Sequence, residues 1–332
     1  MIERVSIRNF KSLRDVSVGL ERFTVFVGPN ASGKTSVLQA LDLLCQAFQE
    51  PEFHLSLVQS QSRGAREPVE LTAESCGRCY RYTAADKVSV RMELKAPDSA
   101  DWQLWRHGVA APPLPVSVLL RPEVSKLVAP GVASPDPTVM NPDGTGMHFA
   151  LASMALNDPD SWQALQANLR DIIPTIRRLR HSKGVPGQQT ALLFDTTGAD
   201  DLPASQVSEG TLLVLGLLTA LYGPNRPGLV LLDDLDRGLH PLAQRDLITL
   251  LGKLLEANPD LQIAASTHSP YLLNWVEAKQ VRMTYLQEGA TVCAPLEDHP
   301  KYEKWKDEMS PGELWSLFGE DWLGKKQEAA VA

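Results

Sequence analysis

Cysteine is scarce. Cys45, Cys76, Cys79 and Cys293 are the only four in 332 residues. That is too few for a disulfide scaffold in a chain of this length, and a reducing cytoplasm is the expected compartment. Long apolar runs are also missing. No stretch approaches the ~20 residues needed to cross a bilayer. The best candidate, Leu212 to Tyr222, is short and reads as a buried helix, so no membrane partner is expected. Met1-Ile2-Glu3-Arg4-Val5 alternates like a strand and lacks the apolar stretch of a signal peptide. Positive charge is in deficit, with 32 Lys and Arg against 40 Asp and Glu and a net charge of −8. A protein that merely coats DNA is usually basic, which argues against that role but leaves room for a local basic groove. Internal repeats and low-complexity tracts are absent.

What remains is an ordinary globular composition, 43% hydrophobic and 22% charged. It supports one large core, or a core with a smaller lobe. Residues 1–27 read as β-rich, with Phe23 to Val27 as a compact buried strand. A glycine-rich loop follows, then a helix with Val37, Leu41, Leu44, Cys45 and Phe48 on one face. From about 51 to 140, short strand-like runs such as Val88 to Met92 and Val116 to Leu120 alternate with proline-rich turns. Residues 146–181 read as helical, with Pro174 expected to kink or end the stretch. From about 205 the pattern becomes helix, strand, helix, strand, as in a parallel α/β layer.

The strongest chemical signal is Gly28-Pro29-Asn30-Ala31-Ser32-Gly33-Lys34-Thr35, with Ser36 behind it. It fits G-x-x-x-x-G-K-[ST] and has the required context, a buried strand before and an amphipathic helix after. Such a loop wraps its backbone around phosphates, and the helix N-terminus adds N–H donors. Lys34 is placed to reach the β- and γ-phosphates, and Thr35 to ligate Mg²⁺.

Leu229 to Leu232 is a continuous apolar run of the kind found in central parallel strands, and it ends in Asp233-Asp234. Asp233 is the expected Mg²⁺ holder, and Asp234 is placed to polarise the attacking water. A solvated acidic turn is the alternative. Ser208 precedes the apolar helix as a natural N-cap, and that N-terminus suits an anion as well as a plain cap. Leu261 to Ser266 reads as another buried strand with Thr267-His268-Ser269-Pro270 at its edge. There His268 could contact a γ-phosphate.

Taken in order, these motifs resemble the ATP-binding-cassette ATPases of the SMC, RecF and OLD group. They look most like the stand-alone AAA-type ATPases of bacterial DNA-repair and antiviral defence systems. The opening Ile7-Arg8-Asn9-Phe10-Lys11-Ser12-Leu13, the run Asp236-Arg237-Gly238-Leu239-His240-Pro241, and Ser266 to Pro270 carry the resemblance with the phosphate loop. It covers about residues 1–48 and 205–275. It implies an α/β P-loop NTPase of cassette-head type with a β-rich lobe and a helical insertion. Residues 1–332 then form one ATPase domain. Residues 1–50 carry the phosphate loop, 51–204 the lobe and insertion, 205–290 the later motifs, and 291–332 a tryptophan-rich tail.

The resemblance further implies a homodimer that sandwiches two ATP molecules. Ser208 and Gly210 of one subunit would contact the γ-phosphate held by Lys34 of the other, with His268 as the switch histidine. Two departures stand out. The family usually has glutamate where Asp234 stands, which suggests slow hydrolysis. The signature is Ser-Glu-Gly-Thr. The glutamine loop is not located; Gln59 and Gln61 are candidates by composition.

Sustained heptads are absent from 49 to 204, so no long coiled coil is expected. About sixty residues follow the histidine motif, too few for the Toprim nuclease of OLD proteins, so a separate nuclease or Toprim-like effector subunit is expected. Cys76-Gly77-Arg78-Cys79 reads as a hairpin turn rather than a zinc hook. Arg177 to Lys183 reads as a solvated helix end, with contact to nucleic acid or an acidic partner as the alternative. Ser310-Pro311-Gly312-Glu313 is a good helix start ahead of Leu314, Trp315, Phe318 and Trp322. Two competing readings remain: a nucleotide-sensing scaffold with little hydrolysis, and a transporter ATPase subunit, which the signature disfavours.

Overall fold

A computed structural model describes residues 1–49, 61–62, 67–85, 90–97, 99–105, 114–129, 136–182, 192–224 and 226–319. They fall into two compact units. One gathers residues 1–119, 228–235 and those from 258 on; the other gathers 120–227 and 236–257.

The first unit opens with β1 (Ile2–Phe10), β2 (Leu13–Gly19), β3 (Phe23–Val27) and α1 (Lys34–Gln49). Next come β4 (Val69–Ser75), β5 (Arg78–Ala84), β6 (Val90–Lys95), β7 (Gln103–Leu104) and β8 (Ser117–Leu120). The second unit runs through α2 (Val124–Leu127), α3 (Met147–Asn157), α4 (Pro159–Ile172), β9 (Ile176–His181), β10 (Leu192–Thr196), β11 (Leu202–Pro203) and α5 (Glu209–Tyr222). The chain re-enters the first unit for β12 (Leu229–Leu232) and leaves it for α6 (Pro241–Ala257). It returns for β13 (Gln262–Thr267), α7 (Pro270–Leu273), β14 (Val281–Gln287), β15 (Ala290–Pro295), α8 (Tyr302–Trp305) and α9 (Pro311–Phe318).

The first unit holds two sheets. One is antiparallel, in the order β2-β1-β4-β5-β6-β7. Its strands bury alternate residues, and charges pair across the other face, as in Arg8–Glu70 at 3.6 Å and Arg81–Glu93 at 2.7 Å. Cys76 and Gly77 join β4 to β5 with φ of 51° and 72°. Positive φ at both positions makes a tight two-residue hairpin, in line with the sequence reading. The other sheet has the order β15-β14-β3-β13-β12-β8, and β14, β3, β13 and β12 run parallel. All residues of β3, β12 and β13 are buried, which fits the continuous apolar run Leu229 to Leu232 of β12. Helix α1 contributes Val37, Leu41, Leu44, Cys45 and Phe48 to a core shared with Ile7, Leu71 and Tyr82 of the first sheet and Leu229 and Leu231 of the second. Truncating one of these large side chains to alanine should cost about 2–5 kcal/mol.

In the second unit the helical stretch divides. Asp158 caps α4 by accepting the Ser161 N–H at 3.1 Å. The helix ends at Ile172, two residues before Pro174, whose ring disfavours helical backbone in the residue preceding it. Residues 176–181, expected as helix, instead form β9, paired antiparallel with β10. Ile176 and Leu179 are buried there, while Arg177 and Arg178 are exposed. In the tail, α9 has the full capping box of Ser310 and Glu313, and Leu314 is buried; Trp322 lies outside the described residues.

Candidate functional site

The phosphate loop leaves the C-terminal end of β3. Pro29, Asn30 and Ala31 are exposed, whereas Gly28, Ser32, Gly33 and Lys34 are buried. Glycine is needed twice. Gly28 has φ 152°, and a Cβ there would lie 2.1 Å from the Thr284 carbonyl oxygen. Gly33 has φ 102°, and its Cβ would lie 2.2 Å from Thr291 Oγ1. The β14–β15 hairpin therefore presses against the outer side of the loop. Ser32 Oγ and Thr284 Oγ1 are 2.6 Å apart, and Thr284 Oγ1 donates to the Val27 carbonyl at 3.1 Å. That leaves Ser32 as the donor between the two hydroxyls. Thr291 is bonded to Ser12 through both hydroxyl (2.8 Å) and amide (2.7 Å). Residues Thr284, Thr291 and Ser12 brace the loop without any spacing motif that would have marked them in the sequence.

Lys34 begins α1, followed by Thr35 and Ser36 in its first turn. The Lys34 Nζ donates to the carbonyls of Gly28 and Pro29, both at 2.8 Å, so its ammonium curls back over the loop. Thr35 Oγ1 donates to Asp233 at 2.8 Å (Oδ1) and 3.0 Å (Oδ2). Asp233 follows β12, one strand beyond β13 in the sheet. The parallel register aligns Leu232 with Ala265 and Thr267 with Val27, so three strand ends share one edge. Asp234 has a left-handed backbone, φ 55°, and its Oδ1 lies 3.6 Å from His268 Nε2. Both side chains are solvent-accessible, at 50% and 36%. Lys34, Thr35, Asp233, Asp234 and His268 thus converge within one unit.

Ser208 and Gly210 belong to the second unit. Ser208 has extended backbone, φ −61° and ψ 147°, and accepts the Thr211 N–H, which makes it the N-cap of α5. It is exposed, while Gly210 is buried. A Cβ on Gly210 would lie 2.3 Å from the Gly238 carbonyl, so the Asp236 to Pro241 turn packs onto this helix start. Arg237 pairs with Glu209 at 2.7 Å.

The secondary candidates divide. Gln59 lies outside the described residues, and Gln61 bonds the Glu67 carbonyl at 2.8 Å. In the basic cluster, Arg180 is paired with Asp195 (2.7 Å) and Asp201 (2.6 Å), and Arg177 with Asp200; Lys183 lies outside the described residues. Local acids therefore neutralise much of the positive charge of this cluster. Among the described residues no group of three or more His, Cys, Asp or Glu is placed to hold a metal by itself. Thr35 and Asp233 form a hard oxygen pair at the foot of the phosphate cradle, which fits Mg²⁺ shared with a nucleotide.

Known structures share this architecture. An SMC head bound to the C-winged helix domain of ScpA matches with TM-score 0.59 at 14% identity, covering 91% of this chain and 99% of that one. The SMC head domain from Thermotoga maritima matches with TM-score 0.52 at 14% identity, covering 89% and 98%. An Smc head with an extended coiled coil, bound to the C-terminal domain of ScpA derived from Pyrococcus furiosus, matches with TM-score 0.55 at 13% identity, covering 92% and 99%. The fold is thus that of an SMC head, a cassette-type P-loop NTPase.

Sequence matches narrow the class. Residues 1–99 match the AAA ATPase domain family, and residues 142–274 match the family described as AAA domain, putative AbiEii toxin, Type IV TA system. A stretch of 44 residues is 43% identical to the OLD nuclease of Thermus scotoductus, spanning 13% of this chain and 8% of that protein. Over these stretches the chain is similar to AAA-type ATPase domains and to an OLD nuclease, and together with the SMC-head fold this likeness supports nucleotide binding of the ATPase type.

Proposed function

We propose that this protein binds Mg²⁺–ATP at Gly28–Ser36 and hydrolyses it, and that ATP joins two copies head to tail. The observation that carries the reading is the bond from Thr35 of the phosphate loop to Asp233, 198 positions away in the chain. Two motifs that matter only together for phosphate chemistry meet at one sheet edge. In this reading the loop amides and Lys34 hold the phosphates, and Thr35 and Asp233 hold the metal. A bound Mg²⁺ would neutralise developing phosphate charge. Asp234 polarises the attacking water, and His268, beside it, senses the γ-phosphate. Ser208 and Gly210 of a second copy close the site. Residues 1–332 then act as one ATPase domain.

The physiological role follows the resemblance: an ATPase subunit of a DNA-repair or antiviral defence complex, controlling a separate nuclease or Toprim-like effector in the cytoplasm. Two of the similar SMC heads are bound to a domain of ScpA, which supports a partner chain here. No described helix is long and apolar enough to cross a membrane. A scaffold that senses ATP and barely hydrolyses it is the second reading, favoured by the short side chain at Asp234. Lys34→Ala is the direct test. It should abolish turnover and weaken ATP binding at least tenfold, since it deletes the mobile cation of the loop. Wild-type affinity and turnover in folded Lys34→Ala protein would falsify the assignment.

A further inference from the structure

One buried side chain outside the groups assigned so far touches both acidic residues. Ser266 lies near the end of β13, between β3 and β12, and is 0% exposed. Its hydroxyl donates to Asp233 Oδ1 at 2.8 Å and accepts the Asp234 N–H at 2.9 Å. Its carbonyl accepts the Leu235 N–H at 2.9 Å. These directions are forced, because an ionised carboxylate only accepts and an amide only donates. Asp233 Oδ1 therefore receives two hydroxyls, from Ser266 and Thr35, on two different elements.

The same serine fixes the turn after β12. Ladder pairing ends at Leu232 opposite Ala265. The chain then bends, with Asp234 at φ 55°. Ser266 holds that bend twice, by side chain at Asp234 and by backbone at Leu235. Left-handed backbone is enriched several-fold in Asp and Asn among non-glycine residues, because a short polar side chain can bond locally. A longer glutamate is disfavoured there.

We infer that Ser266 is the positioning residue of this site. It orients Asp233 for the metal and locks Asp234 into a bend that selects aspartate over glutamate. This rests on the Mg²⁺–ATP reading above, and the test separates the two. Wild type, Ser266→Ala and Ser266→Thr are compared in the full chain. Turnover is measured against Mg²⁺ concentration, binding of a fluorescent ATP analogue in EDTA, and thermal melting. Loss of a partner that orients a metal ligand typically costs about 10–100-fold. Ser266→Ala should therefore need roughly tenfold more Mg²⁺ for half-maximal turnover. Its metal-free nucleotide binding should stay within about twofold of wild type, because the loop contacts remain. Ser266→Thr, which keeps the hydroxyl, should recover most of the Mg²⁺ response. If Ser266→Ala does not fold, Ser266→Cys replaces it under the same criteria. A wild-type Mg²⁺ profile in folded Ser266→Ala overturns the inference. So does an equal loss with and without Mg²⁺, which would make Ser266 a core residue only. Absence of Mg²⁺-dependent turnover and binding in the wild type would instead overturn the reading of the site itself.

Discussion

At Asp234 backbone and side chain make different demands. Family resemblance puts glutamate here, whose extra methylene would carry the carboxylate further toward a water. The bend at φ 55° prefers the shorter residue. Asp234→Asn should leave the fold intact, because asparagine tolerates this backbone as well as aspartate does. It should retain ATP and Mg²⁺ binding through Asp233, with turnover falling about 100-fold, the typical yield of a positioned acid–base group. Normal turnover in Asp234→Asn would move the water-positioning role elsewhere. Asp234→Glu is not a simple restoration. It should lower stability by about 1 kcal/mol, the lower end of the left-handed cost, and urea unfolding reads that directly. Gly33 makes the same kind of demand more severely. Gly33→Ala would drive a Cβ to 2.2 Å from Thr291 Oγ1 at φ 102°. We expect a loss of about 3 kcal/mol from strain and overpacking together.

At the scale of elements, the second unit has a built-in pH response on β9. Burial, with His148 facing it at 5.3 Å between ring centroids, lowers His181 from 6.5 to about 4. The unfolded chain then binds more protons than the folded one between these values. Stability is complete above pH 6.5 and falls as pH drops through the window. Asp195 acts in the same direction but at lower pH: the hydrogen bond from Arg180 holds it at about 2, so its contribution is lost only as pH falls below about 3.8. The melting temperature should fall by several degrees between pH 7 and 4.5. His181→Leu should flatten that slope, and an unchanged slope would exclude His181 as its source. The same strand shows where the sequence misleads. Ile176 and Leu179 are three apart, a spacing helices also use, and the alternation is too short to discriminate. The phosphate loop, β3, β12, β13 and the cap of α5 were legible because each is written in consecutive residues. The bracing of the loop was not, since Ser32 meets Thr284 across 252 positions and Ser12 meets Thr291 across 279. Such contacts arise from register, which no local pattern encodes.

For the whole molecule, the open question is what completes the site. Ser208 caps a helix start whose N–H donors and positive dipole end suit an anion. It is exposed, and Gly210 and Gly238 pack so closely behind it that the turn has little freedom to adapt. In a cassette-type head, the anion it meets would be the γ-phosphate of a second subunit. ATP should then favour the dimer, and hydrolysis should remove the bridging phosphate, giving a two-state switch. Ser208→Arg places a bulky side chain at this surface without touching the phosphate loop's own bonds. ATP binding by the monomer should stay within about twofold, because none of the loop's phosphate contacts is altered. ATP-dependent dimerisation, read by light scattering, and turnover should both be lost. Mixing Ser208→Arg with Lys34→Ala allows a heterodimer with one intact composite site, formed by Lys34 of one copy and Ser208 of the other. Independent sites would regain part of the activity on mixing, whereas strictly coupled sites would not. The single mutant therefore decides: a monomeric Ser208→Arg protein hydrolysing ATP at the wild-type rate would rule out the sandwich, because one head would then be sufficient.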